Sequence, residues 1–189
     1  MDFDHRIIAG SLIFFGGILC ILGIIIAESL YPGYSTSKNY ISDLGVGPSA
    51  LIFNSSVVLL GLMAVIAAYL LHEEFHSALF SINVTLAGVG AIGVGIFTEH
   101  AGVVHTFFSL ITFLFAGLSA VNSYKLQKFP LSYFFAGLGV ISLSALILFG
   151  SDIYLGLGKG GMERMIAYPS LIWSISFGSS LIGSFQTTG

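Results

Sequence analysis

Charge is what this sequence has least of. Only 8% of its 189 residues are Asp, Glu, Lys or Arg, against 56% hydrophobic. An average soluble domain carries roughly 25% charged residues. A soluble fold of this length cannot cover its surface with so few charges, so lipid is the natural solvent. Cysteine is nearly absent as well. Cys20 stands alone, which excludes an intrachain disulfide and leaves the redox compartment unread. The net charge of −3 comes with no basic tract, which argues against nucleic acid as a partner. No Asp, Glu, Lys, Arg or His falls in the middle of a long apolar run. Such charges are what proton pumps, voltage sensors and charge-relay transporters use.

What is there, in quantity, is long apolar runs. Backbone groups in a bilayer must pair internally, so spans are helices or closed barrels. A barrel would alternate polarity in segments of roughly ten residues, whereas these runs are continuous. A span takes about 20 apolar residues. Six segments qualify: Ile7–Ala27, Leu51–Leu71, Ala78–Phe97, Thr106–Tyr124, Leu131–Phe149 and Met165–Phe185. The expectation is an all-α, polytopic six-transmembrane-helix bundle, one transmembrane domain over residues 1–189, in a cell membrane. The first run is longer than the apolar region of about 7–15 residues in a signal peptide and reads as a retained helix.

With six spans, both termini share one side with the connections 72–77 and 125–130. The connections 28–50, 98–105 and 150–164 (loops one, three and five) share the other. Arg6, Lys125 and Lys128 face Lys38, Lys159 and Arg164 across the membrane, so the positive-inside rule is tied. Arg164 adjoins Glu163, which suits a structural pair, and Lys125 and Lys128 flank short turns. Both termini are therefore read as cytoplasmic. Ala87, Ala91 and Gly95 on the third helix, and Ser170, Ser174 and Gly178 on the sixth, form small-residue faces that permit close packing within the bundle or between copies. Gly88, Gly90 and Gly93 make the third helix small nearly all round, which places it centrally.

Polar groups gather on the loop-one, -three and -five side. Asp2, Asp4, His5, Glu73, Glu74 and His76 on the other side sit at chain ends or in a tight turn and suit ordinary solvated charge. Asp43, before Gly45 and Gly47, either caps a short turn or the second helix or belongs to a site. His105 opens the fourth helix, where the dipole disfavours imidazolium. A neutral imidazole there serves as a base, a metal ligand or a hydrogen-bond partner of a loop carbonyl. Glu99, His100 and His105, completed by Asp43, Asp152 or Glu163, offer ligand types that suit zinc or another divalent metal, but His-x4-His is not the helical zinc pair. Glu163-Arg164 opens the sixth helix. Arg164 there either pairs with Glu163, Asp43 or Asp152, or meets an anion such as a lipid phosphate.

Tyr31-Pro32-Gly33-Tyr34, Asn39-Tyr40-Ile41-Ser42-Asp43-Leu44-Gly45 and Ile52-Phe53-Asn54 together resemble the first signature of the prokaryotic integral membrane family of domain of unknown function 998. Gly95-Ile96-Phe97-Thr98-Glu99 with His105 resembles its central motif. Gly161-Met162-Glu163-Arg164 with Tyr168-Pro169 and Trp173 resembles its last one. The resemblance spans almost the whole chain and implies a membrane bundle, with no activity to carry over. Ser42-Asp43-Leu44-Gly45 is also locally similar to an element of the Frag1/DRAM-like six-helix membrane proteins.

Three functional readings follow. The first is a polar, extracytoplasmic pocket of loops 28–50, 98–105 and 150–164 that binds a lipid head group or small amphipathic ligand through Arg164, Ser42, Asn54, Glu99 and Tyr31. The second is a lipid-active hydrolase or transferase using His105 with Asp43 and Glu163, with Ser42 or Ser55 as nucleophile and His105 and Asp43 as metal ligands. It lacks a Gly-x-Ser-x-Gly element. The third is a small-solute transporter, for which interrupted helices are missing. No catalytic constellation is complete in the sequence, so the binding reading is preferred. Membrane lipids are the expected partners.

Overall fold

The computed structural model describes residues 4–183. Every long element among them is a helix: α1 (His5–Leu30), α2 (Ala50–Phe75), α3 (Ala78–Ile96), α4 (Val103–Asn122), α5 (Leu131–Gly150) and α6 (Gly158–Gly183). Short 3-10 turns cover Ser42–Gly45, Glu99–Ala101 and Ser123–Leu126. All six helices are long and apolar enough to cross a membrane. The end of the predicted sixth span, residues 184–185, lies outside the described residues, as does Asp2.

Each helix packs on the next in sequence, and α6 returns to pack on α1. The six therefore form a closed ring of antiparallel neighbours. Lipid supplies no hydrophobic drive between helices, so close backbone approach holds such seams together. Glycine provides it at several. A Cβ on Gly61 of α2 would lie 2.5 Å from the Gly88 carbonyl oxygen of α3. A Cβ on Gly178 of α6 would lie 2.5 Å from the Gly10 carbonyl oxygen of α1. Of the small faces predicted on the third and sixth helices, Gly95 packs on α2 and Gly178 on α1 in the same chain. Ser142 adds an interhelical hydrogen bond, donating to the Ile166 carbonyl at 2.8 Å. At the terminal end, Phe80, Phe135, Trp173 and Phe177 close the core in edge-on and stacked contacts.

Two expectations are corrected. The central placement of the third helix fails, because α3 occupies a ring position between α2 and α4. The most enclosed helix is α6, with 56% of its most apolar stretch buried against 44% or less for the others. The second correction is where α6 begins. It starts at Gly158 rather than Met165, so loop five shrinks to residues 151–157. Glu163 and Arg164 do not open the helix. They lie more than a turn inside it, 6% and 7% exposed. At the other side of the same seam α1 runs on to Leu30 and takes Glu28 into the helix. Charges read as loop charges are therefore helical, with Glu163 and Arg164 buried and Glu28 partly exposed.

Candidate functional site

Loop one, residues 31–49, folds over one end of the ring and is tied down from beneath. Its anchor is Arg164. One terminal nitrogen donates to Glu28 Oε1 at 2.5 Å and to the Tyr34 hydroxyl at 2.7 Å. The other donates to the carbonyls of Thr36 at 2.9 Å, Gly160 at 2.9 Å and Asn39 at 3.3 Å. The two N–H groups of that second nitrogen are shared among three carbonyls, and the buried Nε has no hydrogen-bond partner among the described residues. Tyr34 in turn donates to the Tyr40 carbonyl at 2.7 Å. Burial pushes its phenol up to about 12 against the pull of the Arg164 guanidinium, so it stays a neutral donor. The partner of Arg164 is thus Glu28, not the Glu163, Asp43 or Asp152 expected from proximity in sequence or loop. Both terminal nitrogens, read earlier as open to a lipid phosphate, are engaged within the chain.

The sequence of α6 fits this strap. A Cβ at Gly160 would run into the Asn39 and Thr36 carbonyl oxygens, and one at Gly158 would meet the Ser37 carbonyl. Glycine lets the loop lie directly on the helix, and Gly160 N–H donates to the Ser37 carbonyl at 3.1 Å. Lys159 holds its ammonium 4.1 Å from the Tyr40 ring centroid, a cation–π contact.

Asp43 closes the loop on itself. Its Oδ2 accepts from Asn39 Nδ2 at 2.8 Å and from Tyr40 N–H at 3.0 Å. It therefore orders the turn at Ser42–Gly45 and does not cap α2, whose N-cap is Ser49. Glu99, half-buried in the loop-three turn, faces Asp43. Burial first, and the Asp43 carboxylate second, push the Glu99 carboxyl up to about 7, while Lys159 pulls it down. Asn54 donates from Nδ2 to the Gly45 carbonyl at 3.0 Å, and its buried Oδ1 has no hydrogen-bond partner among the described residues. Tyr31 ends α1, packs its ring on Tyr34 at 5.5 Å, and covers Gly47, where a Cβ would collide with it.

His105 is buried in the first turn of α4, and its Nδ1 lies 2.8 Å from the Phe97 carbonyl oxygen. That carbonyl can only accept, so Nδ1 carries a proton and donates it. No hydrogen bond joins His105 to Asp43, Glu163 or Ser42 among the described residues, so the hydrolytic constellation is not brought together in bonded form. Nor do three or more His, Cys, Asp or Glu side chains stand in a metal-binding group among them. Ser55 is exposed on α2.

Beneath loop one lies a feature that the sequence reading missed. A cavity of about 140 Å³ runs inside the ring, lined from α1, α2, α3, α4 and α6. Its walls are mainly apolar, with Cys20, Phe53, Val84, Ala91 and Phe113 among them. Ile41, Ser42 and Glu163 line its loop-one end, while Ile13, Ser119 and Trp173 lie deeper. Wall hydroxyls such as Thr112, Ser119 and Ser174 donate to carbonyls of their own helices, which leaves their oxygens able to accept. Glu163 accepts the Ile41 N–H through Oε2. Its Oε1 has no hydrogen-bond partner among the described residues. The sequence signal was present: Glu163 stands three residues before Ile166 and seven before Ser170, on the buried face of α6.

Ring, strap and apolar interior define a multi-pass integral membrane protein of six antiparallel helices. Comparison of the sequence with protein families agrees. Residues 14–180 match the model of the family described as "Protein of unknown function (DUF998)", and the chain belongs to that family. No curated protein and no solved structure matches the chain.

Proposed function

We propose that this chain binds a small, single-chain amphiphile inside its helix ring, with the apolar part in the cavity and the polar end under loop one. The observation that carries this reading is the shape and lining of the cavity. Glu163 and Trp173 both line it and stand ten residues apart on α6, about 15 Å at the helical rise. Some 140 Å³ is room for one short alkyl chain and too little for paired acyl chains. Apolar cavities of roughly 150 Å³ stay dry and take up apolar guests. The polar groups at the loop-one end give such a guest an orientation, as in ligand sites that combine apolar walls with a few placed polar atoms. The head group meets Ser42 and Glu163 in this reading, since Arg164 is engaged by Glu28 and Tyr34. We take both termini as cytoplasmic, on the strength of Lys125 and Lys128 beside short turns, which makes the loop-one end extracytoplasmic.

The sole tryptophan of the chain lines the cavity and serves as a native probe. Titration of the protein in phosphatidylcholine nanodiscs with 1-hexanol is expected to change Trp173 emission saturably. Ala91→Leu, which adds side-chain volume to the cavity wall, is expected to abolish that change with helicity by circular dichroism intact. A non-saturating response, identical in both proteins, would mean that hexanol acts only through the bilayer and that the cavity is plain packing.

A further inference from the structure

We infer that the amphiphile is cationic, a primary alkylammonium whose N–H groups are received by Glu163 Oε1; this rests on the binding reading above. Three observations carry it. The first is that Glu163 is 6% exposed, lines the cavity, and has one oxygen bonded to the Ile41 N–H and the other unpartnered among the described residues. A carboxylate removed from water needs a charged or hydrogen-bonding partner. Here one of its two oxygens has none from the protein.

The second observation is the state of the nearby cations. Arg164 follows Glu163 in sequence, but its terminal nitrogens are directed to Glu28, Tyr34 and three carbonyls. Arg164 and Glu28 thus neutralise one another. Lys159 sits over the Tyr40 ring. The third is the sign of what remains. Arg164, already paired with Glu28, acts on Glu163 against Asp43 of loop one and Glu99 of loop three, so three carboxyl groups bear on this end of the cavity while Lys159 is held over the Tyr40 ring. A fatty-acid carboxylate placed there would add like charge. An ammonium supplies the missing counter-charge, donates to Glu163 Oε1, and finds a second acceptor in the Ser42 hydroxyl, while its chain runs toward Trp173.

The test uses three guests of one length, hexylammonium, 1-hexanol and hexanoate, titrated at neutral pH against the full chain in phosphatidylcholine nanodiscs with Trp173 emission as readout. Hexylammonium is expected to bind at least about tenfold tighter than 1-hexanol, the worth of a charge-assisted hydrogen bond, and hexanoate not to bind. In Glu163→Gln the amide oxygen still accepts the Ile41 N–H, and the preference for hexylammonium is expected to fall to within about twofold while 1-hexanol is unchanged. Wild-type protein that binds 1-hexanol as tightly as hexylammonium overturns the inference without touching the cavity reading, and needs no variant to show it. Hexanoate binding overturns it too, as does an ammonium preference that survives Glu163→Gln. Wild-type protein that binds none of the three overturns both.

Discussion

At the loop-one end, Arg164 and Glu28 lie 2.5 Å apart with side chains 9% and 21% exposed; at the other end, Arg6 and Glu74 lie 3.9 Å apart and are each 33% exposed. Both are Arg–Glu pairs between antiparallel neighbours in the ring, α1 with α6 and α1 with α2. Their surroundings differ. The first is wrapped by a folded loop whose carbonyls accept from the guanidinium. The second borders a two-residue connection at 76–77 and the start of α1, where Asp4 accepts the Arg6 N–H at 2.9 Å. The same residue types therefore do different work. Buried and hydrogen-bonded, the pair fixes a covering over the cavity. Half in solvent, it is ordinary interfacial charge.

Arg164→Met sharpens this comparison most. It leaves Glu28 without its counter-charge, and two loop carbonyls and the Gly160 carbonyl of α6 without their donor. Breaking a buried pair from one side costs about 3 kcal/mol or more, and we expect that loss in denaturant unfolding in detergent. Adding Glu28→Gln is expected to recover a part of it, since the stranded charge is gone. Cys20 lines the cavity and is buried, so faster alkylation of this single thiol in Arg164→Met would report the loosened loop. An unchanged unfolding midpoint would reduce the Arg164 network to a surface pair.

Next in size comes the backbone contact under loop one. At Gly160 a Cβ meets two loop carbonyls, whereas at Gly137, on the outer face of α5, it meets nothing within 4 Å. Gly160→Ala is expected to destabilise by about 1–3 kcal/mol, as overpacking does. Gly137→Ala is expected to be neutral or stabilising, as a helical Gly-to-Ala change is. Equal effects at the two positions would show that loop one does not bear on α6.

The pair Asp43 and Glu99 tests the loop-one end by pH. Burial and Asp43 hold the Glu99 carboxyl up at about 7. From its ordinary value of 4.5 up to about 7, the folded chain keeps a proton that the unfolded chain has released. The stability tied to this proton is complete in acid and declines as pH rises through that window. Glu99→Gln cannot ionise and is expected to flatten the decline, read from unfolding midpoints at about pH 4.5 and 8. A decline of the same size in the variant would assign it to other groups.

How much of this was legible beforehand follows from what each feature depends on. The six spans follow from continuous apolar runs, a property of local composition; five were placed within four residues of their helices at each end, and the sixth was begun seven residues late. His105 in the first turn of α4, and the gathering of polar groups on one side, follow from the same boundaries. The start of α6 was hidden because Gly158-Lys-Gly-Gly has the composition of a loop. Those residues are helical and carry loop one on them, a contact between positions more than 100 apart in sequence. Glu28 was passed over as the partner of Arg164 for the same reason: the seam between α1 and α6 closes the ring, and nothing local announces it. The cavity is less legible still. It is what the ring leaves unfilled, and no residue pattern encodes it directly.

The smallest expected effect is at the opposite end, and it completes the comparison. Arg6 and Glu74 are each 33% exposed and 3.9 Å apart, long for a charge-assisted hydrogen bond. Water screens such a pair, and holding two long side chains together offsets much of what attraction remains. Arg6 also lies 5.5 Å from the Phe75 ring centroid, so its removal loses a weak packing contact along with the charge. Glu74→Gln is therefore expected to change stability by less than about 0.5 kcal/mol and to shift little between low and high salt. The same substitution in Glu28 strips a 2.5 Å partner from Arg164 and is expected to act well above that, with weak salt dependence because the pair is shielded from ions. If Glu74→Gln matched Glu28→Gln in size, exposure would not be what separates the two ends. The covering of loop one would then have to be explained by its carbonyls and glycines alone.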